Sequence, residues 1–429
     1  MDKIDAIVVG GGLAGLSAAY KLADAGKQVI LLERGDAPGS KNVTGGRIYV
    51  GPIRKYLPGI IDAAPFERHV VKEMITVLDD AGAVSFEYAN AKWRQEPYMS
   101  YTVLRAKFDS WFADQAAARG AFIIPRKKVE DLLWEDGKVA GIRSGAEEIG
   151  AHVVIAADGA LSFMAQKAGM RGAHKPGDLA VAVKEIYQLD RKIIEDRFGL
   201  EGDEGAAGLY MGSLTRGMFG GGFLYTNQDT LSLGLVIGIH QLALNESGLD
   251  APSLMESFTA RPEVARYIRG GELKEYSAHI ISEAGIGTMP KLVRDGMLIA
   301  GDAAGFALNL GLTVRGMEFA VASGVLAAET AIEALNKNDT SAGALAGYEK
   351  RLKESFVLPD METFRNAREV LDNKRLFTVY PRFICEMFDE LFTISDRPKE
   401  GLYTSAKRVA KKYVLNMDTI KDLLAARKL

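Results

Sequence analysis

Apolar runs, glycine turns and amphipathic stretches alternate in the N-terminal third of the chain. Asp5-Ala6-Ile7-Val8-Val9 is apolar and β-branched, which predicts a strand buried on both faces. It runs into Gly10-Gly11-Gly12-Leu13-Ala14-Gly15, after which Leu16, Ala19, Tyr20 and Ala23 recur at helical spacing. Gly26 ends that helix, and residues 27–32 (Lys-Gln-Val-Ile-Leu-Leu) predict a second strand closing on Glu33. Two later apolar runs close on Asp158-Gly159 and on Gly301-Asp302 and are read the same way. Strand, helix and strand in this order predict a parallel α/β layer.

Between 179 and 239 the pattern changes. Runs at 179–186, 208–211, 220–225 and 230–236 read as successive antiparallel strands, with a turn at 225–230. Glycines 220–222 either let backbone approach a ligand or relieve strand crowding. After Ser341 the chain reads as helical. Residues 380–392 are amphipathic with an aromatic face, read as core packing ahead of a membrane or partner surface. The fold class is therefore α/β (α+β overall). A Rossmann-like dinucleotide-binding domain takes 1–65, 100–170 and 275–340, and an antiparallel-sheet substrate domain 66–99 and 171–274. A helical region over 341–429 is left for partner or membrane contact.

The first turn carries chemistry because its context is complete. Gly10 permits a tight turn, Gly12 lets backbone approach a pyrophosphate, and Gly15 lets helix and strand pack closely. Leu13 and Ala14 stand at the helix N-terminus, where phosphate charge is favoured. Glu33, 18 residues after Gly15, can accept hydrogen bonds from a ribose diol. Arg34 follows it, but Glu33 would repel a 2′-phosphate, which disfavours NADP. Glycines serving only a turn are the alternative.

Composition narrows the chemistry. The 429 residues include 53 Lys plus Arg against 56 Asp plus Glu, a formal charge of −3 that gives no reason to expect nucleic-acid binding. The one cysteine, Cys385, excludes an intrachain disulfide and an iron–sulfur cluster ligated by this chain's cysteines alone. The five histidines lie far apart with no metal spacing, so no metal site is expected. No second glycine fingerprint appears, which argues against a dedicated NAD(P)H domain. Only nine residues precede Gly10 and they read as strand, so no targeting segment is expected. No uncharged apolar run is long enough to span a bilayer, so a cytoplasmic location is expected.

At Asp158-Gly159 and Gly301-Asp302 the chain resembles the FAD-binding superfamily of glutathione-reductase and hydroxybenzoate-hydroxylase type. The resemblance implies that FAD is the cofactor and that Asp302 bonds its ribityl chain. A carboxylate at a strand terminus can accept from the hydroxyls of an open polyol. It also implies cofactor contacts from Arg105, for which a surface arginine capping a helix is the alternative, and from the backbone of Val129 to the adenine. Gly311, Leu312 and Thr313, with the helix opening near Gly316, would lie at the flavin pyrimidine edge.

Five stretches resemble one family: Lys41-Asn42-Val43-Thr44-Gly45-Gly46-Arg47, 100–105, 220–227, Tyr276-Ser277-Ala278-His279 and 301–317. They are similar to the FixC family, relatives of the electron-transfer-flavoprotein:quinone oxidoreductases. The resemblance implies an FAD relay from a two-subunit electron-transfer flavoprotein to a membrane quinone. A ferredoxin-like iron–sulfur subunit takes another branch of electrons in a FixABCX-type complex. Peripheral contact with the inner face of the cell membrane follows from the quinone. Gly45 and Gly46 would lie beside the flavin ring, with Arg47 supplying positive charge, and no catalytic side chain is named. The basic face at Lys407, Arg408, Lys411 and Lys412 is a candidate for meeting the iron–sulfur subunit. The alternatives are a geranylgeranyl-reductase-like flavin enzyme acting on an isoprenoid lipid, a flavin monooxygenase, and a non-enzymatic flavin-binding scaffold.

Overall fold

The computed structural model describes residues 2–41, 46–245, 248–283 and 285–429. Its first sheet is built on five parallel strands in the order Met297–Ile299, Glu147–Ala156, Lys3–Val9, Val29–Leu32 and Phe122–Ile124. Antiparallel strands Lys138–Ser144 and Val293–Arg294 extend it. The apolar run 6–9 is buried on both faces, as a central parallel strand requires. Helix Leu13–Asp24 packs on helix Met317–Asn336 and on Arg105–Ala118. Together they bury one large apolar core with the sheet.

The second sheet has nine strands. Along its main path it runs Glu272–Ser282, Leu179–Gln188, Thr230–Gly238, Gly220–Thr226, Glu204–Gly212, His69–Leu78, Ser100–Thr102 and Arg47–Tyr49. Ala83–Ala89 pairs with His69–Leu78 at the side. One face packs on a separate core containing Val183, Leu224, Leu233 and Phe258, partly covered by helix Ala251–Thr259. Alternation along each strand then sends Lys184, Phe223 and Tyr225 to the opposite face.

Two sequence expectations need correction. The sheet is not wholly antiparallel, because Glu204–Gly212 and His69–Leu78 pair in parallel. Sheet membership also crosses the expected segment boundaries at 65, 100 and 275. Arg47–Tyr49 and Ser100–Thr102 are short strands whose free backbone groups are satisfied by pairing with each other at the end of the second sheet. Glu272–Ser282 forms one continuous edge strand of that sheet.

The C-terminal part is helical. Val379–Phe392 lies on strand His69–Leu78 and on helix Leu402–Tyr413, but Pro381 is its one buried residue and Phe392 is 76% exposed. Its aromatic face is thus half-buried rather than core. The basic helix is largely matched from within, with Lys412 at 2.7 Å from Glu386 and Arg408 at 2.9 Å from Glu390. The last helix, Met417–Ala426, leaves Met417, Ile420, Leu423 and Leu424 exposed. Among the described residues no helix is long and apolar enough to cross a membrane.

Candidate functional site

The ends of the parallel strands bring the first motif and the two Asp-Gly motifs together. Gly10 N–H donates to Leu32 O and Ala157 N–H to Val9 O, both at 2.9 Å, and Ala300 N–H donates to Ala156 O at 3.0 Å, so the three turns sit side by side. Gly12 caps the helix that starts at Leu13, with Ala14 and Gly15 buried behind it. Glu33 accepts from Gly11 N–H at 2.7 Å and from Gly35 N–H at 2.5 Å. It therefore braces the glycine turn while keeping lone pairs for a diol. Arg34 beside it is exposed, and Val129 is half-buried where Lys127 N–H reaches Glu33 O at 2.8 Å.

Asp158 and Asp302 are the acids of this crevice. Asp158 Oδ2 accepts from Met164 N–H at 3.0 Å, whereas its Oδ1 is buried with no hydrogen bond. Gly159 turns the chain just behind it. Gly301 N–H donates to Ser323 Oγ at 2.9 Å, which fixes the turn that presents Asp302. Arg105 is the first residue of its helix and grips Asp109 through two bonds of 2.9 and 2.7 Å. It also draws the Asp302 carboxyl down against the burial that raises it.

An unpartnered buried acid oxygen, a helix N-terminus and a glycine turn without side chains are the donor and acceptor set that a dinucleotide with a polyol arm needs. The residues present fit FAD. When bound, it would supply reversible electron transfer, and these residues would bind and orient it.

Burial pushes the Asp158 carboxyl up to about 6, against backbone N–H bonds that pull it down. In the FAD-free protein the folded state then keeps a proton that the unfolded state has lost between pH 3.8 and about 6. Stability falls as pH rises through that window, by about 3 kcal/mol for a shift of this size. Urea unfolding of the FAD-free protein across that window should show the slope, and Asp158→Asn should flatten it.

The far end of the crevice is a hairpin that leads into the helix expected near Gly316. Gly311, Leu312 and Thr313 form the tip of a hairpin between Leu308–Asn309 and Val314–Arg315. Leu310 N–H bonds Thr313 O at 2.9 Å across it. Glycine and threonine suit that tight reversal, and the helix starts only at Met317. Its positive end is met by its own Glu318, which is 1% exposed and ion-paired to Arg315 at 2.6 Å. Arg315 also holds Asp360 at 2.6 Å.

Gly46 packs against Tyr225, since a Cβ there would lie 2.1 Å from the ring. Gly45 lies outside the described residues. Arg47 is not a lone positive charge: it pairs with Glu73, donates to Ser100 Oγ at 3.1 Å, and covers the Tyr49 ring at 4.5 Å.

Sequence reasoning missed Lys184 and gave His279, quoted within a family stretch, no role. Lys184 is 3% exposed, and burial with nearby Arg105 lowers its ammonium pKa despite Glu275. His279 is lowered by burial and by Arg34 and Arg105. Both stand on adjacent strands of the second sheet, two register pairs apart. A lysine inside an apolar strand run was the available signal.

Comparison with known proteins agrees with this geometry. Residues 5–95 and 98–330 match the FAD dependent oxidoreductase family, and 367–429 match the ETF-QO/FixC family C-terminal domain. Protein FixC of Escherichia coli K12 is 45% identical over 98% of this chain and 97% of its own length. A probable electron transfer flavoprotein-quinone oxidoreductase, YdiS, of the same strain is 44% identical over 98% and 97%. Among solved structures, a geranylgeranyl bacteriochlorophyll reductase-like protein from Thermoplasma acidophilum shares the fold with TM-score 0.71 at 23% identity, covering 99% of this chain and all of that one. The myxobacterial halogenase CndH does so with TM-score 0.66 at 19%, covering 100% and 98%. The match to Protein FixC along nearly the whole of both chains, with the FAD-dependent oxidoreductase region and the matching C-terminal module, places this chain in the FixC family of FAD-dependent oxidoreductases.

Proposed function

We propose that this chain relays electrons from a two-subunit electron-transfer flavoprotein, through its FAD, to a membrane quinone. It would work as the flavin subunit of a FixABCX-type complex. The observation that carries the reading is the C-terminal match over 367–429 to the ETF-QO/FixC domain, on a chain that aligns end to end with FixC relatives. Cys385 is the one cysteine, so an iron–sulfur branch needs ligands from a separate ferredoxin-like subunit. The exposed Met417, Ile420, Leu423 and Leu424 give the C-terminal helices an apolar side suited to peripheral contact at the inner face of the cell membrane. The FAD contacts would come from Gly10, Gly12, Leu13, Ala14, Gly15, Glu33, Asp158, Gly159, Gly301 and Asp302, with Arg34, Gly45, Gly46, Arg47, Arg105, Val129 and 311–313 around them.

The test is an anaerobic visible spectrum of the purified protein. NADH alone should leave the flavin oxidised, and NADH plus the partner electron-transfer flavoprotein should bleach it. Rapid bleaching by NADH or NADPH alone would overturn the relay.

A further inference from the structure

The second sheet turns a cationic corner towards the crevice. Lys184 stands on strand Leu179–Gln188, and His279 on the edge strand Glu272–Ser282, where it pairs with Ala182. Residues paired across two strands share a face, as do residues two apart along one strand. Both side chains therefore project from the side opposite the core that holds Val183. That side looks onto the cofactor crevice, because Arg105 acts on the charge of both residues and Arg34 on that of His279. The residues paired with Lys184 are Ser277 and Gly234, neither of them charged.

Lys184 is 3% exposed, yet among the described residues it makes no hydrogen bond and no ion pair. Glu275, itself exposed, is the one acid that acts on it, whereas Asp109 and Asp302 act on Arg105. His279 is half-buried, and the charges acting on it, Arg34 and Arg105, are both positive. Burial and these cations lower the pKa of both groups. Lys72 shows how this chain otherwise buries an ammonium. Its Nζ donates to Phe198 O at 2.6 Å and lies 2.9 Å from Glu87. An ammonium buried without such partners destabilises the fold that holds it. Lys184 is therefore matched to an anion that arrives from outside the chain.

We propose that Lys184, supported by His279, closes on the FAD pyrophosphate from the second sheet, across the crevice from the Gly10–Gly12 turn. The proposal rests on the FAD contacts proposed above and is independent of the electron relay. The glycine turn and the helix N-terminus at Leu13 meet phosphate charge from the first sheet alone. Lysine adds a compact point charge from the other side, and so ties the two sheets together through the cofactor. An anion at this corner raises the lowered pKa of both groups, so that FAD binding takes up protons.

The experiment follows FAD rebinding to the FAD-free protein, with ADP and adenosine as competitors. Lys184→Met should weaken FAD roughly 30-fold, the loss of one charge-assisted bond. ADP should weaken by a similar factor and adenosine should be unchanged. His279→Gln should act in the same direction by about threefold. Oxidised and reduced FAD should lose affinity equally in Lys184→Met, leaving the midpoint potential unchanged. The FAD-free Lys184→Met protein should unfold at a urea concentration no lower than the native one, because it has lost an unpartnered buried ammonium. In the native protein FAD affinity should fall as pH rises on the alkaline side, where the free protein loses a proton that the bound one keeps. Calorimetry in buffers of different ionisation enthalpy should show the matching proton uptake, and Lys184→Met should reduce both effects. Full FAD affinity in Lys184→Met, or equal weakening of ADP and adenosine, overturns the proposal. So does a lower urea midpoint, which marks the lysine as structural, or a loss confined to reduced FAD, which puts it at the flavin ring. A native protein in which ADP competes no better than adenosine overturns the placement of the pyrophosphate in this crevice, and the proposal with it.

Discussion

Gly15→Val is expected to give a protein that carries no FAD. A Cβ at Gly15 would lie 1.9 Å from Gly10 O, inside the turn that must stay closed over strand and helix. The helix cannot retreat, because its other side is packed on Met317–Asn336, where a Cβ on Gly324 would in turn lie 2.1 Å from Ala14 O. Gly10 itself has φ +106° and has no room to absorb the shift, since Ala157 O stands 2.4 Å from where its own Cβ would be. The displaced turn then opens the N–H groups that should face a pyrophosphate. Loss of about 4 kcal/mol of binding, near a thousandfold in Kd, is the size expected. Visible absorbance per polypeptide after purification measures it directly. A yellow Gly15→Val protein with full flavin content would remove this turn from the cofactor site.

The second large effect is on stability and lies away from the flavin. Arg68 is fully buried in the second sheet and donates to the carbonyls of Asn227, Gly202, Glu204 and Gln228, at 2.6 to 3.0 Å. Glu195 stands 3.7 Å away as its counter-charge. One guanidinium thus ties together the 202–204 turn and the 227–228 turn, which are remote in sequence. Arg68→Met should destabilise the protein by about 3–5 kcal/mol, because it takes the guanidinium away from four carbonyls in the sheet interior, while Glu195 keeps Arg191 at 2.9 Å. Arg68→Lys should recover little, since a single ammonium cannot reach the four acceptors a planar fork serves. Urea unfolding followed by circular dichroism reads both. A midpoint within error of the native protein for Arg68→Met would show that the turns hold without it.

Sequence pattern carried a good deal of this architecture. The strand at Lys3–Val9, the glycine turn, the helix from Leu13 and Glu33 were legible because their signal is local: apolar periodicity, a glycine spacing and a terminal acid within one βαβ unit. Strands Leu179–Gln188, Gly220–Thr226 and Thr230–Gly238 were legible for the same reason, being consecutive or nearly so. The parallel pairing of Glu204–Gly212 with His69–Leu78 was not, because partners far apart in the chain leave no mark on either segment. Ser341 onward read as helix from periodicity, yet how much of the 380–392 face is covered depends on the strand beneath it.

Charge was the least legible property. Arg47, Lys412 and Arg408 each read as free cations in one dimension, and folding sets Glu73, Glu386 and Glu390 against them. Residue types and spacings alone determined that this chain has a dinucleotide-binding α/β layer, a second sheet and a helical end, because backbone geometry and burial repeat over a few residues. Which acid braces the turn, which arginine is neutralised, and that Lys184 and His279 meet Arg105 at one crevice were decided only by tertiary structure. Electrostatic and shape complementarity arise between segments that meet in space, and nothing local in the chain records the meeting.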